Sequence, residues 1–147
     1  MHLIPCLAWC LLGCLPMGAA LAQTHSQLAL RHHCSETFFS QIEVKTCLEQ
    51  ALTASADALQ KSEEAFDHAL QNWDQAPRHI QAARKHLKAS QKEFVEYRTQ
   101  QCNLLSAING SAAGNAFELR RLACNAELNN RRAEQLQEGV QEIVTAP

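Results

Sequence analysis

The sequence predicts an all-α protein, an antiparallel three-helix bundle with long helices, stapled by disulfides, and three observations carry that prediction. Turn residues are scarce: beyond residue 22, glycine occurs only at 110, 114 and 139, and proline only at 77 and 147. Apolar residues recur at intervals of three and four, with no alternating stretch of the kind a half-buried strand shows. Four cysteines, Cys34, Cys47, Cys102 and Cys124, remain once an apolar leader is set aside.

The leader is residues 1–22, which contain no Lys, Arg, Asp or Glu. Its apolar run is broken by Pro5, Gly13 and Pro16 and is too short for a membrane span. Ala20-Leu21-Ala22 supplies the small residues a signal peptidase requires. Cleavage after Ala22 is therefore expected, leaving one domain over 23–147 in the periplasm or secreted. The alternative is a lipoprotein, since Leu11-Leu12-Gly13-Cys14 resembles a lipobox, and only acylation of Cys14 would bring a membrane into play. Simple cleavage is preferred because only 13 residues precede Cys14 and the bulky Leu12 sits two before it.

In an exported chain an even set of cysteines points to two disulfides, with three connectivities open. A metal site would want closer pairs such as C-x-x-C, which are absent. Thirteen basic residues against 15 acidic give a net charge of −2, which suggests no nucleic-acid partner.

Taken in order, Ser35 is placed to cap a first helix that runs, with one break allowed, to about Asp74. Pro77 suits the first turn of a second helix, where the amide it lacks would be unpaired anyway, and that helix should extend over 78–108. Asn109-Gly110-Ser111-Ala112-Ala113-Gly114 reads as a loop, with Asn115 as the cap of a third helix ending near Val144. On the first helix Leu52, Leu59, Phe66 and Trp73 recur every seven residues, and the small Ser55, Ser62 and Ala69 beside them favour a close seam. The second carries Ile80, Ala83, Leu87, Ser90, Phe94, Tyr97, Gln101, Leu105 and Ile108 on one face. The third carries Leu119, Leu122, Ala126, Ala133, Leu136, Val140 and Ile143. Short loops make neighbours antiparallel. Phe117, Cys124 and Leu128 fall on the far side of the third helix, to be covered by the N-terminal segment bearing Phe38, Phe39 and Ile42 or by a partner.

Reflecting each helix through its turn compares their levels. Asp57 falls opposite about residue 95, and Arg131 opposite about residue 93. Asp57, Gln91, Arg98 and Arg131 are thus expected to form a polar layer in mid-bundle, with Arg98 pairing the carboxylate of Asp57. Cys102 comes level with Cys124, so that pair is favoured. Cys34–Cys47 is favoured for the remainder, but 13 residues of continuous helix would hold them about 20 Å apart, so the chain must turn back between them. A different pairing stands beside it, in which the N-terminal segment crosses the bundle end where Cys47 lies level with Cys102.

Cys47 followed by "ALTASADALQKSEEAF", then "LKASQKEFVEYRTQQC", "NGSAAG" and "LACNAELNNRRAEQL", resembles the LprI-type lysozyme-inhibitor family of small exported bacterial helical proteins. The resemblance covers about residues 34–138. This chain departs from the pattern with Phe94 where tryptophan is common, Thr99 where aspartate often follows the arginine, and Gln60 and Phe66 in place of asparagine and tyrosine. The resemblance implies binding and inhibition of lysozyme by protein contact, with no catalysis and no cofactor. An immunity or envelope-interaction protein that binds another exported wall-degrading partner is the alternative.

Two surfaces are candidates for that contact. Glu63, Glu64 and Asp67 could steer association with a basic lysozyme, and the loop residues Asn109, Gly110, Ser111 and Gly114 could enter a saccharide cleft. No catalytic residue is expected: adjacent acids on one helix do not make the two carboxylates of a glycosidase cleft, and no G-x-S-x-G, P-loop or H-E-x-x-H is present. No metal site is expected either, since His25, His32, His33 and Cys34 fit no common spacing, and His79 and His86 lack a third ligand.

Overall fold

The computed structural model describes residues 26–108 and 114–145. The leader with Cys14, and the loop positions Asn109, Gly110 and Ser111, lie outside the described residues. Among the described residues there are four helices and no strand: α1 (Gln27–Thr37), α2 (Gln41–Gln71), α3 (Pro77–Ala107) and α4 (Asn115–Thr145). The three long helices are as expected, but a short one precedes them, so the count is four and not three.

Local chemistry explains the extra helix. Ser26 caps α1, its hydroxyl accepting from the Ala29 amide at 3.1 Å, and the Gln27 amide donates to the buried carboxylate of Glu127 at 3.0 Å. Ser35 therefore lies inside α1 and caps nothing. Phe38 leaves the helix in an extended conformation (φ −127, ψ 141). Ser40 then opens α2 with a reciprocal capping box: its hydroxyl accepts from the Glu43 amide at 3.2 Å, while the Glu43 carboxylate accepts from the Ser40 amide at 3.3 Å. The chain turns back here, which brings the Cα atoms of Cys34 and Cys47 to 5.8 Å and closes their disulfide. Cys102 and Cys124 form the second bridge, with Cα atoms 5.6 Å apart.

α4 is the hub, touching α1, α2 and α3, and its interface with α2 is the most extensive among the described residues. The register can be read from the cross-helix hydrogen bonds. Asn129 to Ser55 and Gln137 to Ser62 span separations of 74 and 75 residues, so α2 and α4 run parallel. Arg98 to Asn129 spans 31 and Arg132 to Ser90 spans 42, a growing separation that makes α3 antiparallel to α4. The predicted seam of small residues is where α2 meets α4, with Ser55 and Ser62 both buried.

Two apolar clusters fill the interior. The first joins Leu30, Cys34, Val44, Leu48, Leu122, Ala123 and Ala126, with Phe38 packed against it. The second joins Leu59, Leu70, Leu87, Ala133 and Leu136, edged by Phe66, Trp73, Phe94 and Ile143. α1 thus covers α4 with Leu30, Cys34 and Phe38, whereas Phe39 and Ile42 turn outward. On α3 the buried line runs Leu87, Cys102 and Ser106, with Phe94 and Arg98 half-buried, so Tyr97 and Ile108 are exposed against expectation. Repeated steps of four beyond Phe94 rotate the packed stripe away from them. Gly139 on α4 gives Phe66 room, since a Cβ there would sit 2.5 Å from the ring.

Candidate partner-binding surface

The expected polar layer exists at the expected level with different members. Arg98 donates through Nη1 to Asn129 Oδ1, and Asn129 donates through Nδ2 to Ser55 Oγ at 3.1 Å. This chain lies between the two apolar clusters. Arg132 adds a bond to Ser90 Oγ at 2.7 Å, and the Arg98 and Arg132 guanidiniums flank the Phe94 ring at 5.7 and 5.9 Å. Asp57 is exposed and does not pair with Arg98; Arg131 is exposed and reaches Glu127 on its own helix. Each sits two positions from the residue that enters the layer, Ser55 and Asn129, which on a helix of 3.6 residues per turn is the opposite side. Gln91 is half-buried and lines a shallow groove with Glu63 and Lys88, outside this chain of bonds.

The acidic cluster is not a bare negative face. Asp67 accepts from Arg84 at 2.6 and 2.8 Å and from Gln71 at 2.7 Å, and the bond to Arg84 chiefly holds its carboxyl below the usual carboxylate range. Glu64 accepts from Gln60 at 2.9 Å. Glu63 is half-buried, and burial pushes its carboxyl up, against the pull of Arg132 and Arg98. With Arg84 and Lys88 beside these acids, little negative field is left for steering a basic partner.

The other end presents a different surface. Phe39 is fully exposed, Ile42 is 79% exposed, and both flank the turn into α2. Leu104 and Ile108 close α3 in exposed positions, and Phe117 opens α4 at 39% exposure. Ile42 shares a cleft with Asn115, and Ile108 and Phe117 stand on either side of the candidate loop in sequence. Its described end, Gly114, has a positive φ of 45° that favours glycine, and its carbonyl accepts from the Phe117 amide at 3.4 Å. Asn115, expected as the cap, is instead the first residue of α4. A cleft of about 340 Å³ lined by Ile42, Lys45, Glu49, Asn115, Glu118 and Leu119 lies alongside. The charges around it are paired within the protein. Glu118 accepts from Arg121 at 2.8 and 2.9 Å, which lowers its pKa, and Lys45 pairs with Glu49 at 3.5 Å.

Sequence reasoning missed Asn129 and Glu127. Both are polar residues on the buried arc of α4, and that arc is wide because three helices pack on it. The four cysteines among the described residues are all committed to disulfides, so Cys34 is unavailable as a ligand beside His32 and His33; His25 lies outside the described residues. No helix among the described residues is long and apolar enough to cross a membrane.

Comparison with known proteins adds one match. No curated protein and no solved structure matches the chain. The family model described as lysozyme inhibitor LprI matches residues 34–136, a span that holds both disulfides and the polar layer. The helices, their two bridges and this match together make the chain a member of the LprI lysozyme-inhibitor family.

Proposed function

We propose that this protein is an exported lysozyme inhibitor that works by protein contact through the apolar end of its bundle. The family match over residues 34–136 carries the reading. Two disulfides suit an oxidising compartment, and cleavage of the leader after Ala22 would deliver the mature chain there. The contact is assigned to Phe39, Ile42, Phe117 and the segment from Asn109 to Gly114. Exposed aromatic and aliphatic side chains on a rigid support are the usual anchors of a protein interface, and the cross-linked helices limit the ordering cost of binding. Glu63, Glu64 and Asp67 are a weaker candidate, because Arg84 and Lys88 offset them.

The test is a pull-down and a wall-lysis assay with an animal-type lysozyme. Binding at low salt and protection of the wall substrate are expected. Phe39→Ser with Ile42→Ser, both at exposed positions, should weaken binding about tenfold or more, while Glu64→Lys should leave association unchanged. Absence of binding at low salt would remove the inhibitor reading in favour of another exported wall-degrading partner. Full activity in the double variant would move the contact elsewhere.

A further inference from the structure

At the other end of the bundle, about 46 Å away along the 31 residues of α2, lies a cavity of about 630 Å³. It is formed where the α2–α3 turn meets the last turns of α4. One wall is apolar, from Val140, Ile143 and the half-buried indole of Trp73. The rim is polar and nearly neutral, from His68, Asn72, Asp74 and Gln75. The contact assigned above to Phe39, Ile42 and Phe117 does not use this end.

We propose that this cleft binds a neutral saccharide of about two pyranose rings, the indole of Trp73 supplying a stacking face and Asn72, Asp74 and Gln75 bonding the hydroxyls. The lining narrows the ligand class. It carries one carboxylate and no lysine or arginine, so an anionic ligand would meet repulsion without a counter-charge. A quaternary ammonium is best held by several aromatic faces, and Trp73 supplies the single large one. A wholly apolar ligand would cover four hydrogen-bonding side chains without engaging them. A pyranose has what the site asks for: a C–H face whose positive edge suits the negative face of an indole, and a ring of hydroxyls that both donate and accept. Asn and Gln amides each offer both roles as well.

The site is also pre-ordered. The Gln75 amide donates to the Trp73 carbonyl at 2.7 Å, closing a tight turn. Asn72 caps α2, its amide bonding back to His68 and Ala69 and its side-chain nitrogen donating to the His68 carbonyl at 2.8 Å. Trp73 packs on the second apolar cluster, so little side-chain freedom is lost when a sugar covers it.

The test titrates the protein recovered from the envelope with maltose, cellobiose and chitobiose, following the indole Nε1–H signal of Trp73 by NMR. The chain has two tryptophans, Trp9 in the leader and Trp73, and Trp73→Phe assigns the signal. A saturable shift with a Kd in about the millimolar range is expected for at least one sugar. Asp74→Ala with Gln75→Ala, both exposed and outside the apolar clusters, should weaken it about fivefold or more while helix content is kept. Glucuronate should bind more weakly than the neutral sugars. The proposal is overturned by no saturable shift with any of the three up to about 50 mM, by unchanged affinity in the double variant, or by glucuronate binding as tightly. Because Phe39 and Ile42 lie at the far end, lysozyme binding should be untouched by these substitutions, and either proposal can fail without the other.

Discussion

Asn129→Ala is the sharpest probe of how the bundle is held together. Asn129 is fully buried, accepts from the Arg98 guanidinium and donates to Ser55 Oγ. Alanine would remove one hydrogen bond to a charged group, about 1.5–3 kcal/mol, and one neutral bond of about 1 kcal/mol. Better helix propensity returns roughly 0.5 kcal/mol. Arg98 has no easy replacement, since its Nε is already buried without a hydrogen-bond partner among the described residues. A net loss of about 3 kcal/mol follows. Asp57→Ala, which the sequence alone would make comparably costly, should stay within about 0.5 kcal/mol because Asp57 is exposed. Urea unfolding followed by far-UV circular dichroism reads both. With a slope of about 1.5 kcal/mol/M, the Asn129 variant should lose about 2 M in midpoint at constant slope. The reasoning fails if Asn129→Ala costs under about 1 kcal/mol, or if Asp57→Ala costs as much.

Other substitutions probe the remaining features. Gly139→Ala would normally strengthen a helix by about 1 kcal/mol, but its Cβ would meet the Phe66 ring at 2.5 Å. Overpacking of about 1–3 kcal/mol should prevail, and thermal melts should show a loss that Phe66→Leu relieves. Burial raises the Glu63 pKa above its ordinary 4.5, so the folded state favours the protonated acid. That contribution is present below the unfolded pKa and is lost as pH rises through the folded one. Glu63→Gln should therefore melt higher than the parent at pH 7 and match it below the ordinary value; a lower melt at pH 7 would contradict this. Glu127→Ala strips the acceptor from the first turn of α1, and amide exchange should quicken in α1 while α2 to α4 keep their protection. Uniform quickening would mean that α1 is not an independent unit.

How much of this was legible in the sequence depended on the kind of information each residue carried. Helical periodicity and Pro77 defined the long elements, because spacing and a missing amide act locally. Reflection through the turns gave heights along the bundle, and these were right for Cys102 with Cys124 and for a polar layer near Arg98. It gave no rotation about each helix axis, so Asp57 and Arg131 stood in for Ser55 and Asn129. The break before α2 was present as Ser40-Gln41-Ile42-Glu43, a capping-box pattern hidden inside an apparently continuous run. The candidate surface was less legible. Glu63, Glu64 and Asp67 looked like an open acidic face because their neutralising partner, Arg84, comes from another helix. Phe39 and Ile42 read as cover for α4, and only the turn at Ser40 directs them outward.

The order of the two bridges bears on how such a chain is made. Of the four cysteines among the described residues, Cys34 joins Cys47 across 13 residues and Cys102 joins Cys124 across 22. If the chain is exported and its leader removed, as proposed, each of these sulfurs meets its mate before any later rival has emerged, and an oxidase acting on the arriving chain would reach the native connectivity without reshuffling. Reoxidation should accordingly give equal yields with and without a disulfide isomerase when the chain is delivered N-terminus first. Release of the fully reduced chain into denaturant should bring mispaired species into view.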